Sequence, residues 1–344
     1  MGPGMGVYER ALRPLLFALP PDRVHDWTQW LLGQDLWRHL DAGFRQAALR
    51  TAVGGLDLEG PLGLAAGFDK NGDLLPAVAA LGFGFEVVGS VRPRPHPGNP
   101  RPWFARRTDE GGLVNAMGLP SRGASYVADR LRGREGRIPR LVSLAGESAA
   151  DFQRVRAALD GLADGWEVNV SCPNTETGRA FEEDTATFER LLEALPPPTP
   201  ATFVKFSPPE DAAGRDRVLE LASRAVRRGY RGFTLCNTLP VAESRVAGGR
   251  GGLSGPPLRP HVLGALRDFR RTFGGEVDLL GVGGVNTGED ALRMVEAGAR
   301  AVQILTALIY RGPLAAVRIH RELAAALRQR GYASLREAVG RAAE

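Results

Sequence analysis

Eight short apolar runs constrain this chain more than any other feature. They occupy residues 62–66, 85–89, 141–145, 166–170, 202–206, 232–236, 278–282 and 301–305, each followed by a stretch long enough for a helix. A strand–helix alternation sustained eight times predicts an α/β fold, a (β/α)8 TIM barrel rather than an open sheet. The 344 residues exceed the usual single-core size, but barrels of this type run to such lengths as one domain. The Pro-rich stretch from Arg92 to Arg107 reads as an excursion with a hairpin on top of the barrel. Gly248-Gly249-Arg250-Gly251-Gly252 reads as a long, mobile loop.

Residues 8–45 stand apart. Leu12, Leu15, Leu16 and Leu19 precede Pro20-Pro21-Asp22, a helix break with a candidate N-cap. Val24, Trp27, Trp30, Leu31 and Leu36 then recur at helical spacing. Two short amphipathic helices with outward tryptophans fit an interfacial element, and equally a pair of helices packed on the main body. The expected division is a helical extension over 1–45 and the barrel over 46–344.

Composition excludes several classes. With 43% hydrophobic and 24% charged residues, a core of normal size is assured. The net charge of +5 comes from scattered Arg without interleaved aromatics. That favours anionic lipid or an anionic substrate over nucleic acid, which is not an expected partner. Two cysteines, Cys172 and Cys236, are too few for a disulfide framework and flank strand ends, so a reduced setting is expected. No apolar window is long enough to span a bilayer, no signal peptide is read at Met1-Gly2-Pro3-Gly4, and no metal site is expected.

Of the 44 Lys plus Arg residues only Lys70 and Lys205 are lysine. A chain that uses Arg almost everywhere keeps Lys where a compact ammonium does what guanidinium cannot. Both follow or end an apolar run, where barrel chemistry sits. The same rim collects Gly67-Phe68-Asp69-Lys70, Ser90, Asn169, Cys172, Asn174, Cys236, Asn237 and Thr238. Four amides (Asn115, Asn169, Asn174 and Asn237) offer donors and acceptors suited to a planar ligand with amide and carbonyl edges. Late in the chain, Gly281-Val282-Gly283-Gly284 and Gln303-Ile304-Leu305-Thr306 are candidates for a backbone phosphate cradle.

The motifs Leu64-Ala65-Ala66-Gly67-Phe68-Asp69-Lys70, Pro93-Arg94-Pro95-His96-Pro97-Gly98-Asn99-Pro100, Asn169-Val170-Ser171-Cys172-Pro173-Asn174-Thr175 and Gly251-Gly252-Leu253-Ser254-Gly255 resemble dihydroorotate dehydrogenase. The resemblance covers nearly the whole chain. The N-terminal helices are similar to those of its membrane-associated, quinone-using class 2. It implies FMN as cofactor, held at Ala66, Gly67, Phe68, Asp69, Lys70, Ser90, Ser143, Asn169, Lys205, Cys236, Gly255, Gly284, Leu305 and Thr306. It implies dihydroorotate or orotate at Lys70, Asn115, Ala116, Met117, Gly118, Leu119, Asn169, Asn174, Asn237 and Thr238. Cys172 stands at the base position, with Lys70 beside it. The implied reaction belongs to pyrimidine synthesis: a base removes a proton from C5 while hydride passes from C6 to flavin N5, and quinone takes the electrons. Peripheral attachment to the cytoplasmic side of the cell membrane follows from the same resemblance.

The chain departs from the class 2 pattern at several positions. Cys172 stands where class 2 members carry Ser and soluble class 1 members carry Cys. Ser143 replaces an Asn, Gly146-Glu147 a Gly-Lys, Leu119-Pro120 a Phe-Asn and Leu305 a Tyr. His25 and Arg106 fall at positions resembling the quinone tunnel. These departures keep three rivals in view: a same-fold enzyme with fumarate or another soluble acceptor, a paralogue acting on another cyclic amide, and a flavin-binding protein without turnover.

Overall fold

The computed structural model describes residues 6–41, 45–133, 137–171 and 181–343. Two short strands, β1 (Thr51–Val53) and β2 (Leu56–Leu58), pair as an antiparallel hairpin. The eight expected strands follow as β3 (Leu62–Leu64), β4 (Phe85–Val91), β7 (Arg140–Leu144), β8 (Gly165–Asn169), β9 (Thr202–Phe206), β10 (Gly232–Leu235), β13 (Asp278–Val282) and β14 (Ala301–Ile304). They are parallel and close into one barrel, with β14 paired to β3 and β10 to both β9 and β13.

Alternate residues of these strands separate into two cores, as the two-residue period of a strand requires. Leu141, Phe203 and Leu280 join Phe85 in an inner cluster, which Val53 and Leu58 of the hairpin close from below. Their neighbours Val142, Val204 and Leu279 belong to the outer core beneath the helices. The inner cluster leaves no room for a side chain at residue 63. A Cβ there would lie 2.2 Å from the Phe85 ring, so glycine is required by that ring.

A second sheet rides on the barrel mouth: β5 (Phe104–Arg107), β6 (Gly112–Asn115), β11 (Leu239–Ala242) and β12 (Arg250–Ser254) in the order β11-β12-β6-β5. The hairpin expected within Arg92–Arg107 lies further along the chain, where β5 ends that stretch and pairs with β6 beyond it. The stretch expected to be a loop at 248–252 is corrected here. Arg250 to Gly252 belong to β12, paired with both β11 and β6. Glycine-rich sequence has little intrinsic strand preference, and this strand exists because two neighbours pair with it at close range. A Cβ on Gly252 would meet Thr238 Oγ1 at 1.9 Å.

The N-terminal helices α1 (Arg13–Phe17) and α2 (Pro21–Leu32) lean over the same mouth. Asp22 is not the N-cap of α2. Pro20 holds that place without a side-chain bond, and the Asp22 carboxylate instead accepts the Trp103 and Phe104 N–H groups at 2.9 and 3.4 Å. Among the described residues, no helix is long and apolar enough to cross a membrane.

At the opposite end of the barrel, buried His320 accepts the Leu62 N–H on Nε2 at 3.3 Å. Burial pushes its pKa down to about 3, against a smaller opposing effect of the Ala316 carbonyl. The folded ring is therefore neutral, whereas the unfolded one takes a proton below its ordinary value near 6.5. Its contribution is complete above that value and is lost as pH falls toward 3, by about 1.4 kcal/mol per pH unit. Replacing His320 with Gln should flatten this part of the acid limb in urea titrations run from pH 7 to 4. An unchanged slope would remove His320 as its cause.

Candidate active site

Carboxyl ends of parallel barrel strands converge, and here they open on one cavity of about 460 Å³. The loop after β3 is built around a buried carboxylate. Asp69 accepts the backbone N–H groups of Asn71, Gly72, Asp73 and Leu74 at 2.8–3.2 Å. Both its oxygens are occupied, and Asp69 does not line the cavity, whereas Ala66, Gly67, Phe68 and Lys70 do. Burial raises the Asp69 pKa in spite of those four donors. The residue shapes the loop that presents Lys70.

A belt of hydrogen bonds crosses four strand ends. Ser143 Oγ lies 2.8 Å from Ser90 Oγ, and Asn169 Nδ2 donates to Ser90 Oγ at 2.9 Å. Asn169 Oδ1 accepts from Ser171 N and Oγ, and Asn237 Nδ2 donates to Ser171 O at 2.6 Å. Asn237 Oδ1 then accepts the Thr238 N–H at 2.9 Å. Ser90, Asn169, Asn237 and Thr238 face the cavity, and Ser143 sits behind Ser90. From the sheet over the mouth β6 contributes Asn115, and the chain just after it contributes Met117, Gly118 and Leu119. Ala116 points away into the sheet's own core. Leu119, with φ +56°, has positive φ alone among the described non-glycine residues, so its placement over the cavity carries backbone strain. Cys172 and Asn174 lie outside the described residues.

The two lysines occupy different environments. Lys205 Nζ is buried and lies 3.3 Å from Glu167 Oε1, two residues below Asn169 on the same face of β8. Glu167 is not among the residues that the motifs mark. Its signal was a charged residue inside an otherwise apolar strand, in phase with a site residue. Lys70 Nζ instead lies 3.0 Å from His25 Nε2 of α2. Burial lowers its pKa to about 8, with Asp69 and Asp26 acting in the opposite direction.

Cys236 is fully buried at the cavity wall, and burial raises its thiol pKa far above the ordinary range. It is an inert lining group rather than a nucleophile. Glu182 was also missed. Its carboxylate accepts the Ser207 N–H at 2.6 Å, and burial raises its pKa to about 7.

Gly255, Gly284, Leu305 and Thr306 complete the wall at the late strands. The first two have φ of +99° and +81°, and a Cβ would meet Gly111 O at 2.7 Å and Arg259 Cβ at 2.5 Å. Both glycines are therefore required by the packing of the wall itself, which leaves no room for a side chain there. From there the cavity continues outward past Leu308 and Ile309 to Leu12, Leu16, Phe17, Val24 and Leu31 of the helices. His25 and Arg106 both line this apolar arm. The Arg106 guanidinium donates to the Leu16, Phe17 and Leu19 carbonyls and lies over the Phe17 ring, so it secures the end of α1.

A family model for dihydroorotate dehydrogenase matches residues 48–327. The chain belongs to the dihydroorotate dehydrogenase family. A dihydroorotate dehydrogenase (quinone) of Novosphingobium aromaticivorans is 36% identical over 96% of this chain and 98% of that protein. One of Mycolicibacterium smegmatis is 37% identical over 97% and 99%. Among solved structures, the Eimeria tenella enzyme in complex with ferulenol superposes with a TM-score of 0.83 at 27% identity, covering 95% of this chain and 98% of that one. The chain is thus a flavin oxidoreductase of the dihydroorotate dehydrogenase type, and its match to the quinone-dependent relatives includes the N-terminal helices.

In this chain Glu167→Ala would leave the Lys205 ammonium buried without a counter-charge. The expected loss is about 3–5 kcal/mol of stability, read from urea unfolding of the purified protein. A loss below about 1 kcal/mol, the worth of an exposed pair, would show that Glu167 does not balance Lys205.

Proposed function

We propose that this chain oxidises dihydroorotate to orotate in pyrimidine synthesis, with FMN as its resident flavin, and delivers the electrons to a membrane quinone. The observation that carries this reading is the two-part cavity, polar at the barrel mouth and apolar between α1, α2 and Leu308–Ile309. A charged pyrimidine and a lipid-soluble acceptor need those two environments at one redox centre.

The residues present fit FMN. Gly255, Gly284 and Thr306 line the cavity together at the late strands, where backbone amides can hold a phosphate. Gln303 lines the cavity fully buried, with neither amide atom hydrogen-bonded to another described residue, as expected of a side chain that meets a ligand's polar edge. Ala66, Gly67, Phe68, Ser90, Asn169, Lys205, Cys236 and Leu305 would complete the cradle, with Asp69 acting through its loop and Ser143 through Ser90. When bound, FMN supplies the two-electron chemistry that links dihydroorotate to the acceptor.

Within that arrangement Lys70 pairs with the substrate carboxylate. Asn115, Asn169, Asn174 and Asn237, with Thr238 and the Met117–Leu119 turn, meet the amide and carbonyl edges of the ring. Cys172 takes the C5 proton as thiolate, since an ordinary thiol pKa of about 8.5 is far easier to lose than that of an alcohol. Lys205 holds positive charge beside the flavin, where negative charge develops on reduction. Steady-state turnover of dihydroorotate with quinone, fumarate and NAD in parallel tests the reading, and quinone should give the highest rate. A fumarate rate above the quinone rate would assign a soluble acceptor. Cys172→Ala should retain orotate binding and lose turnover with every acceptor by at least about a hundredfold, the scale of a lost general base. An unchanged kcat would remove its role.

The same reading seats the protein peripherally on the cytoplasmic face of the membrane. Trp27 and Trp30 of α2 are 57% and 69% exposed, and Leu12, Leu15 and Leu31 are exposed beside them. Leu12 and Leu31 also line the apolar arm. Such a patch on a helix pair favours an interfacial position over water. Co-sedimentation with anionic phospholipid vesicles should fall in the Trp27→Ser, Trp30→Ser double variant, and an equal bound fraction would show that this face does not meet the bilayer.

A further inference from the structure

Asp22, His25, Asp26 and Gln29 recur at helical spacing on α2, and each bonds to the body of the protein: Asp22 is buried, His25 and Gln29 are partly buried, and Asp26 stays half exposed at the rim. Asp22 accepts from the Trp103 and Phe104 amides. Asp26 accepts from Arg101 at 2.7 and 2.9 Å. Gln29 Nε2 donates to the Phe68 carbonyl at 3.0 Å, and His25 Nε2 stands 3.0 Å from Lys70 Nζ. The last two contacts land on the loop that carries Lys70, two residues apart. We propose that α2 is part of the dihydroorotate half-site: His25 positions the Lys70 ammonium for the substrate carboxylate, and Gln29 holds the loop beneath it. The proposal rests on the dihydroorotate reading above and adds a role to a helix otherwise needed only on the acceptor side.

The chemistry fixes the direction of the contact. An ammonium has no lone pair, so Lys70 donates and His25 Nε2 accepts, which requires the neutral imidazole protonated on Nδ1. Neutrality is supported by the surroundings, since burial and the Lys70 charge both oppose a second proton on the ring. Among the described residues, the charged groups around the pair are Asp69, Asp26 and Arg101. Both carboxylates are already engaged, Asp69 by its four loop amides and Asp26 by Arg101. His25 is therefore the side chain that directs one N–H of Lys70 and leaves the other two for ligands. The broad planar fork of Arg does not offer that division of donors.

The test uses the flavin-loaded enzyme and two readouts that involve no quinone: orotate affinity by calorimetry, and anaerobic flavin bleaching by dihydroorotate. His25→Leu should weaken orotate binding and slow bleaching by roughly tenfold each, the scale of one hydrogen bond to a charged group. His25→Gln, whose Oε1 can reach the Nε2 position, should restore most of both. His25→Asn is too short to reach Lys70 and gives the same comparison if leucine is not tolerated. In a Lys70→Ala background the His25 substitution should have no further effect on orotate affinity. Additive losses, or orotate affinity and bleaching within about twofold of wild type while quinone turnover falls, would overturn the proposal. Wild-type flavin that dihydroorotate does not bleach would instead overturn the substrate reading itself, and the proposal with it.

Discussion

Closure of eight parallel strands is the constraint on which the rest of this molecule depends. Each strand end by itself is a turn with one or two polar residues. Once β14 pairs with β3 and β9 with β10, those ends face one opening. Ser90, Asn169, Lys205 and Asn237 then meet from strands or strand ends far apart in the sequence. Closure itself depends on an inner core in which Phe85 passes over Gly63 and the β1–β2 hairpin closes the far end. The apolar lower half supports the polar upper half.

The cost of burying charge explains much of the upper half. Lys205 is accompanied by Glu167, Asp69 by four backbone donors, and Glu243 at the sheet edge by Arg107 and Arg245. Hydrogen bonds from Arg245 hold the Glu243 carboxyl down at about 2. Lys70 differs in having a neutral imidazole as its nearest partner, and its lowered pKa reflects a burial that nearby carboxylates only partly offset. An ammonium in such a place keeps its charge weakly and commits one donor to His25, which leaves two for an anionic ligand.

The eight strands were legible because parallel strands covered on both faces are continuously apolar. The site residues were legible because polar groups at the ends of such strands have few structural reasons to be there. Strand β12 was not, since its glycines read as a loop until β6 and β11 are set beside them. Asp69 shows the limit for site residues: its motif marks it as part of the site, and only the fold reveals that its carboxylate faces the loop amides.

Helix α2 draws the same line most clearly. Its periodicity and two tryptophans are properties of the sequence, and they identify an amphipathic helix with an apolar face. Which face meets the protein is not encoded in that pattern. An amphipathic helix ordinarily buries its apolar stripe, and this one turns Asp22, His25 and Gln29 toward the protein and leaves Trp27 and Trp30 out. The sequence alone determined the barrel, the family and the chemical inventory of the rim, because these depend on short-range pattern and residue type. The tertiary structure decided the partners of Lys70 and Lys205, because hydrogen bonds of about 3 Å between residues 38 and 45 positions apart depend on how separate elements pack.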